Sequence, residues 1–263
     1  MHDTALALGC EFFRIYSGVA PKVLDLGALD VNGSLRSVMP ADAVVTGVDM
    51  EEGPGVDVVI RPGERLPFEA GSFDRVTCSS VLEHDPAFWM TVAEMVRIVK
   101  PSGFIYINVP SNGHYHPHPG DYWRFYPDAG LALAAAINEW PWTDTEGVHG
   151  DREVELVESG IGARARSEWN DFFCVLQRAP FTPSHAFISD GGALPCTNIR
   201  RRGDEGFLNP EPYTEDQRSL AYLAMTSRAL LERWLSIVPN DAGVLDPELE
   251  LQTRSFLATF GSV

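Results

Sequence analysis

The sequence predicts an α/β fold: a doubly wound, mostly parallel sheet with an antiparallel last strand and a helical C-terminal extension. Three observations carry that expectation. Apolar runs of strand length recur at residues 23–26, 44–48, 56–60, 73–80 and 104–109, separated by turn residues or by helical spacing, which is the alternation of βαβ units. The run 104–109 is continuously β-branched and aromatic apart from Asn108, as in a strand covered on both faces. The first run ends in Gly27 and the second in Asp49, a glycine and an acid at adjacent strand ends where a nucleoside can bind.

Taken in order, apolar positions 5, 8, 9, 12, 13 and 16 have helical spacing, with Asp3 or Thr4 as the cap. After the strands at 23–26 and 44–48 comes the turn-rich stretch 51–55, then a short strand at 56–60. The strand at 73–80 ends in small hydroxyl residues that leave room for a ligand. Asp85 supplies an N-cap with Pro86 at the first helical position, and Phe88, Val92, Met95, Val96 and Val99 form the buried stripe. Residues 100–103 stop that helix, and Pro110 ends the strand that follows. Asp128 caps a helix carrying Leu131, Leu133, Ala134 and Ile137; residues 140–149 form a loop, and 153–157 and 170–176 read as an antiparallel strand pair.

The domain is expected to span 1–178 and the extension 179–263. In the extension, residues 179–212 are rich in proline and glycine, and Arg200, Arg201 and Arg202 read as a solvated turn. A capping box at 214–217 opens a helix striped by Leu220, Leu223, Leu230, Leu231, Trp234 and Leu235, and Asp246-Pro247 starts a last helix bearing Leu249, Phe256, Leu257 and Phe260. These stripes pack on the chain's own domain, form a homodimer interface, or cover the acceptor as a lid.

Composition narrows the partners. Asp and Glu outnumber Lys and Arg 37 to 20, for a net charge of −17, so the average surface repels a phosphate backbone and nucleic acid is not expected as a partner. Cys10, Cys78, Cys174 and Cys196 lack C-x-x-C spacing, which suggests neither a zinc knot nor a disulfide framework and fits a reducing cytoplasm. The apolar start has no basic flank before it, and no run reaches the length of a membrane span.

LDLG at 24–27, Asp49, LPFEAGSFDRV at 66–76, VLEH at 81–84 and VKPSGFIYINVP at 99–110 resemble, in order and spacing, the class I S-adenosylmethionine (SAM) dependent methyltransferases. The resemblance covers roughly residues 20 to 180 and implies a Rossmann-like sheet with SAM as cofactor. It sets Asp25, Gly27, Ala28 and Leu29 near the methionine part, Asp49 and Met50 at the ribose, Glu64, Arg65 and Leu66 along the adenine, and Ser79 and Ser80 on the sulfonium side. One departure stands out: the family's G-x-G-x-G loop is replaced by Gly27, Leu29 and Val31, and glycine returns only at Gly33. Side chains of Asp30 or Asn32 could then replace backbone contacts to the amino acid moiety as the chain turns into the next helix. Leu29 and Val31 would also obstruct the backbone approach of a pyrophosphate, which disfavours a dinucleotide.

Three of the seven histidines fall within positions 114–118, followed by Asp121, Tyr122, Trp123 and Arg124. In the resembling family the loop after this strand overhangs the methyl donor and meets the acceptor, and a similar run occurs in its sugar-modifying members. The expected activity is methyl transfer to a hydroxyl of a small molecule or saccharide, with His118 or His84 as base and Asp121 as orienter. His114, His116, Tyr122, Trp123 and Arg124 are candidate acceptor contacts, while Trp123 and Phe125 could instead only seal the loop. Alternate histidines could also chelate a divalent metal with His84 joining them, although Pro117 and Pro119 interrupt a regular strand. Two alternatives therefore stand beside the main reading: a metal-assisted methyltransferase, and a degenerate SAM-binding module that regulates or scaffolds a partner.

Overall fold

The structure, a computed structural model, describes residues 3–61, 63–139, 153–162 and 170–212, together with residue 229. The chain divides into two compact units, Met1–Pro212 and Tyr213–Val263. The loop 140–149 and the helices expected from 214 and 246 lie outside the described residues.

The first unit is built on one sheet. Strands β1 (Lys22–Leu26), β2 (Val44–Asp49), β3 (Val58–Val59), β4 (Phe73–Ser79) and β5 (Val99–Pro110) are joined in parallel, while β6 (Val154–Gly162), β7 (Asp171–Arg178) and β8 (Cys196–Arg201) add antiparallel pairings. The order across the sheet is β3-β2-β1-β4-β5-β7-β6-β8. This is the doubly wound, mostly parallel Rossmann-like sheet with an antiparallel edge that the run lengths predicted.

Period-two alternation sends side chains to two separate cores. Ile105, Ile107 and Val109 of β5 join Phe172, Cys174 and Leu176 of β7 on one face, under helices α2 (Phe88–Ile98) and α3 (Ala129–Glu139). On the other face Tyr106, Phe173 and Val175 meet Leu8, Phe12, Phe13 and Tyr16 of helix α1 (Asp3–Tyr16). Phe12 stacks on Tyr106 with centroids 4.9 Å apart. Central strands are therefore covered on both sides, which explains why their sequences lack an apolar/polar alternation.

Several local expectations change. The strand expected at 56–60 shrinks to two residues because Asp57 Oδ2 accepts the Gly47 amide at 2.7 Å, taking a donor that a longer ladder would use. The helix expected after Gly33 is a single 3-10 turn, Leu35–Val38, capped by Ser34, whose hydroxyl accepts from the Arg36 amide. Pro86 stands outside α2, where Asp85 accepts from the Ala87 amide at 2.8 Å and from the Thr91 hydroxyl. Residues 100–103 end that helix but belong to β5, across a register shift opposite Phe73 and Arg75. Leu131 lies off the buried stripe of α3, 42% exposed.

The eighth strand was not anticipated, since residues 179–212 read as loop. It is tied in from both sides: β6 pairs with β8, and the buried Glu158 of β6 accepts from the Ile188 amide at 2.7 Å and from the Ser189 hydroxyl. Arg200, Arg201 and Arg202 do not form a solvated turn. Each guanidinium lies over a ring, of Phe207, Phe187 and Phe181 respectively, and each is paired with an acid: Asp128, Asp190 and Glu155. Arginine suits this because its planar group stacks while it donates hydrogen bonds. All four cysteines are free thiols. Among the described residues no helix is long and apolar enough to cross a membrane.

Candidate active site

Strand β1 has β2 on one side and β4 on the other, so successive connections leave in opposite directions and a crevice opens outside the carboxyl ends of these strands. A cavity of about 1070 Å³ fills that crevice, just above the roughly 300–1,000 Å³ usual for ligand pockets. Its walls come from the ends of β1, β2, β4 and β5 and from the loops that leave them.

At one end Gly27 turns the chain with φ +81°, and a Cβ there would stand 2.1 Å from Val81 Cγ2. Glycine is needed both for the dihedral and for the close approach. Asp49 lines the cavity, its Oδ2 accepting from the Leu29 amide at 3.0 Å and its Oδ1 from Met50 at 2.7 Å. The altered loop is thus held by the acid at the end of β2, and by the Asp30 amide donating to Pro54 O at 2.9 Å. Leu29, Asn32, Met50, Glu64, Arg65, Leu66, Ser79 and Ser80 line the same space, whereas Asp25, Ala28 and Asp30 do not. Asp25 lies beneath the floor, 3% exposed, accepting from Thr77 Oγ1 at 2.7 Å, and burial pushes its carboxyl up to about 6. Ala28 is buried behind the loop, and Asp30 closes its own turn by accepting from the Gly33 amide at 2.8 Å.

The other end is made where the loop after β5 docks on the turn after β4. The amides of Tyr122 and Trp123 both donate to Glu83 O, Trp123 Nε1 donates to Asp85 O at 2.9 Å, and His84 Nδ1 meets Gly120 O. These contacts bring Glu83, His84, His116, His118 and Tyr122 to the cavity wall. His114, Asp121, Trp123 and Arg124 stay off it. Asp121 is held by Arg124 and accepts from the His116 amide at 2.9 Å, with its Oδ2 3.1 Å from the His116 ring, so it orders His116 and makes no hydrogen bond to His84 or His118. Trp123 packs edge-on against Phe88 and Trp89, sealing the loop as one reading of the sequence had it.

Glu83 was not singled out from the sequence, although it precedes His84. It is 1% exposed, yet it is among the residues that line the cavity. Burial, reinforced by the nearby Asp171 carboxyl, pushes its carboxyl up to about 8. Burial also holds His84 below the ordinary imidazole value, against the pull of the Gly120 carbonyl. With Nδ1–H given to that carbonyl, His84 keeps its lone pair on Nε2, which lies 3.7 Å from Glu83 Oε1. The ring centroids of His84 and His116 are 4.9 Å apart. The arrangement can remove a proton, donate one, or hold a cation.

Comparison with known proteins agrees with this architecture. Residues 18–107 match the family model described as "Methyltransferase domain". The chain is 29% identical over 188 residues to the ubiquinone/menaquinone biosynthesis C-methyltransferase of Bartonella tribocorum, covering 68% of this chain and 63% of that protein. It is 34% identical over 109 residues to the ubiquinone biosynthesis O-methyltransferase of Aromatoleum aromaticum, covering 35% and 45%. The chain thus spans less than two thirds of the length of these two curated relatives. Among solved structures, the 1,6-didemethyltoxoflavin-N1-methyltransferase of Burkholderia thailandensis has a TM-score of 0.50 at 20% identity, covering 66% of this chain and 78% of that one, a likeness of fold. Carbon, oxygen and nitrogen acceptors are all represented in these three names.

Proposed function

We propose that this chain, whose fold is that of the class I SAM-dependent methyltransferases, moves a methyl group from SAM to an oxygen of a small molecule held in the cavity. The observation that carries the reading is the single cavity joining the Gly27–Asp49 end to the Glu83–His84–His116 end. SAM supplies, when bound, a methyl group already activated by its sulfonium. The fit rests on the Gly27 cradle, which any Cβ would fill, and on the donor chemistry around it. Asp49 would accept from the ribose hydroxyls, Leu66 and Met50 would wall the adenine with Glu64 and Arg65 at its edge, and Leu29, Asn32, Ser79 and Ser80 would border the amino acid and sulfonium.

The chain's own task is then to align the acceptor, exclude water and remove its proton. As a base, His84 suits this through its lone pair at Nε2, and His118 stands on the same wall. Tyr122 offers a ring face and a hydroxyl to the acceptor. A second reading has the specific support of Glu83, whose buried carboxyl converges with His84 and His116: there a divalent cation, and not a histidine base, activates the acceptor oxygen.

The test is S-adenosylhomocysteine formation with hydroxylated acceptors, with and without a chelator. Turnover that persists in chelator and falls at least about 100-fold in His84→Ala supports the base. Loss in chelator with recovery on adding a divalent ion supports the cation. No S-adenosylhomocysteine with any acceptor, together with no binding of SAM, overturns the transferase reading and leaves a scaffold or regulatory module.

A further inference from the structure

We infer that Glu83, His84 and His116 form a binding site for one divalent transition-metal ion. Among the described residues, one donor atom from each of the three lies within 4.8 Å of the others. Donors side by side on an ion with bonds of about 2.1 Å stand roughly 3 Å apart, so small torsions of side chains on the turn and the loop close the gap.

Glu83 supplies the second, independent observation. Glu83 is among the residues that line the cavity, it is 1% exposed, and its buried Oε2 makes no hydrogen bond. A buried oxygen left in that state is costly to the fold, and a cation beside it relieves the cost.

The two imidazoles are supported from behind. His84 Nδ1–H is given to Gly120 O, which fixes the tautomer that coordinates through Nε2. His116 Nδ1 lies 3.1 Å from Asp121 Oδ2 and 3.1 Å from His114 O. A carboxylate or carbonyl on the far nitrogen is the usual support of a metal-bound ring, because it fixes orientation and raises basicity. Asp121 is itself held through both carboxylate oxygens by Arg124, so the support is rigid.

Two nitrogens and one carboxylate favour zinc, manganese, iron, cobalt or nickel over magnesium and calcium, which prefer all-oxygen shells. Three protein donors on one wall leave the cavity side of the ion for the acceptor. This selects acceptors with two adjacent oxygens, such as vicinal diols or catechols, that can chelate while one oxygen is methylated. The acceptor class rests on the cation-assisted reading; the metal site does not.

The experiment uses tag-free full-length chain, stripped with chelator, dialysed and titrated calorimetrically with ZnCl2, MnCl2 and MgCl2. Expected are one transition ion per chain, a preference over magnesium of at least about 100-fold, and at least about tenfold weaker binding in both Glu83→Gln and His116→Gln. His185→Gln, outside the cavity, binds as wild type. No stoichiometric binding by wild type, or binding that survives both substitutions unchanged, overturns the site. Thermal melting is compared first; if Glu83→Gln does not fold, His116→Gln on the loop carries the test alone. Parallel titration with S-adenosylhomocysteine separates the two readings. Its binding without metal binding overturns the site and keeps methyl transfer, and metal binding without it does the reverse.

Discussion

Arg124 holds Asp121 through both carboxylate oxygens, Nη1 to Oδ1 at 2.5 Å and Nη2 to Oδ2 at 2.9 Å. The same guanidinium donates to His114 O at 3.0 Å, and Asp121 accepts from the His116 amide. The fork thus closes the loop 114–124 on itself and fixes where His116, His118 and Tyr122 meet the cavity.

Breaking the fork should therefore damage the acceptor end and spare the cofactor end. Asp121 is 2% exposed at its side chain, and Arg124→Ala leaves that charge without its partner, at an expected cost of about 2–4 kcal/mol. Denaturant titration measures the stability, and steady-state kinetics should show a higher acceptor KM with S-adenosylhomocysteine affinity within about twofold of wild type. Equal weakening of both ligands would assign the fork to global stability alone.

Gly27 makes a sharper prediction about the cofactor end. Gly27→Ala meets Val81 and forces a side chain into φ +81°, so S-adenosylhomocysteine affinity should fall at least about tenfold and stability by about 1–3 kcal/mol. Adding Val81→Ala removes the clash but not the dihedral strain. The double variant should recover part of the loss; full recovery would mean that only the contact mattered.

Asp25 imposes a pH dependence of defined sign. Burial raises its folded value to about 6, above the roughly 3.9 of an unfolded aspartate. Between those values the native state binds more protons than the unfolded one, so this group lowers stability as pH rises, and the full penalty is present above about pH 6. Two pK units correspond to an order of 3 kcal/mol. Asp25→Asn, which can still accept from Thr77, removes the titration. Urea unfolding at pH 4 through 7 should show the variant gaining on wild type across that interval; parallel curves would contradict the raised value.

Glu83 shows why part of the site escaped the sequence. Its neighbours Val81 and Leu82 are apolar and His84 follows, so an ionisable pair at a strand end was in plain view. What the chain order could not reveal is that a loop much later in the chain lays Tyr122 and Trp123 across the Glu83 carbonyl and buries the carboxyl. The eighth strand was hidden for a similar reason. Its residues, Cys196–Arg201, include the polar Thr197 and Asn198 and a basic run, and only the rings of Phe187 and Phe207 and the buried Glu158 make that sequence tolerable in a sheet.

Local chemistry decided a great deal. Apolar runs of strand length, one glycine at the end of β1 and one acid at the end of β2 were enough to indicate the central parallel strands and a crevice at their carboxyl ends. These features act through a strand's own periodicity and through the backbone freedom of one residue, so they can be read along the chain. Only the tertiary structure decided that Glu83 joins His84 and His116, that Asp121 serves His116, and that Asp25 and Asp30 stand outside the cavity. Those outcomes depend on burial and on contacts between segments far apart in sequence, where a carboxylate's role is set by what packs over it.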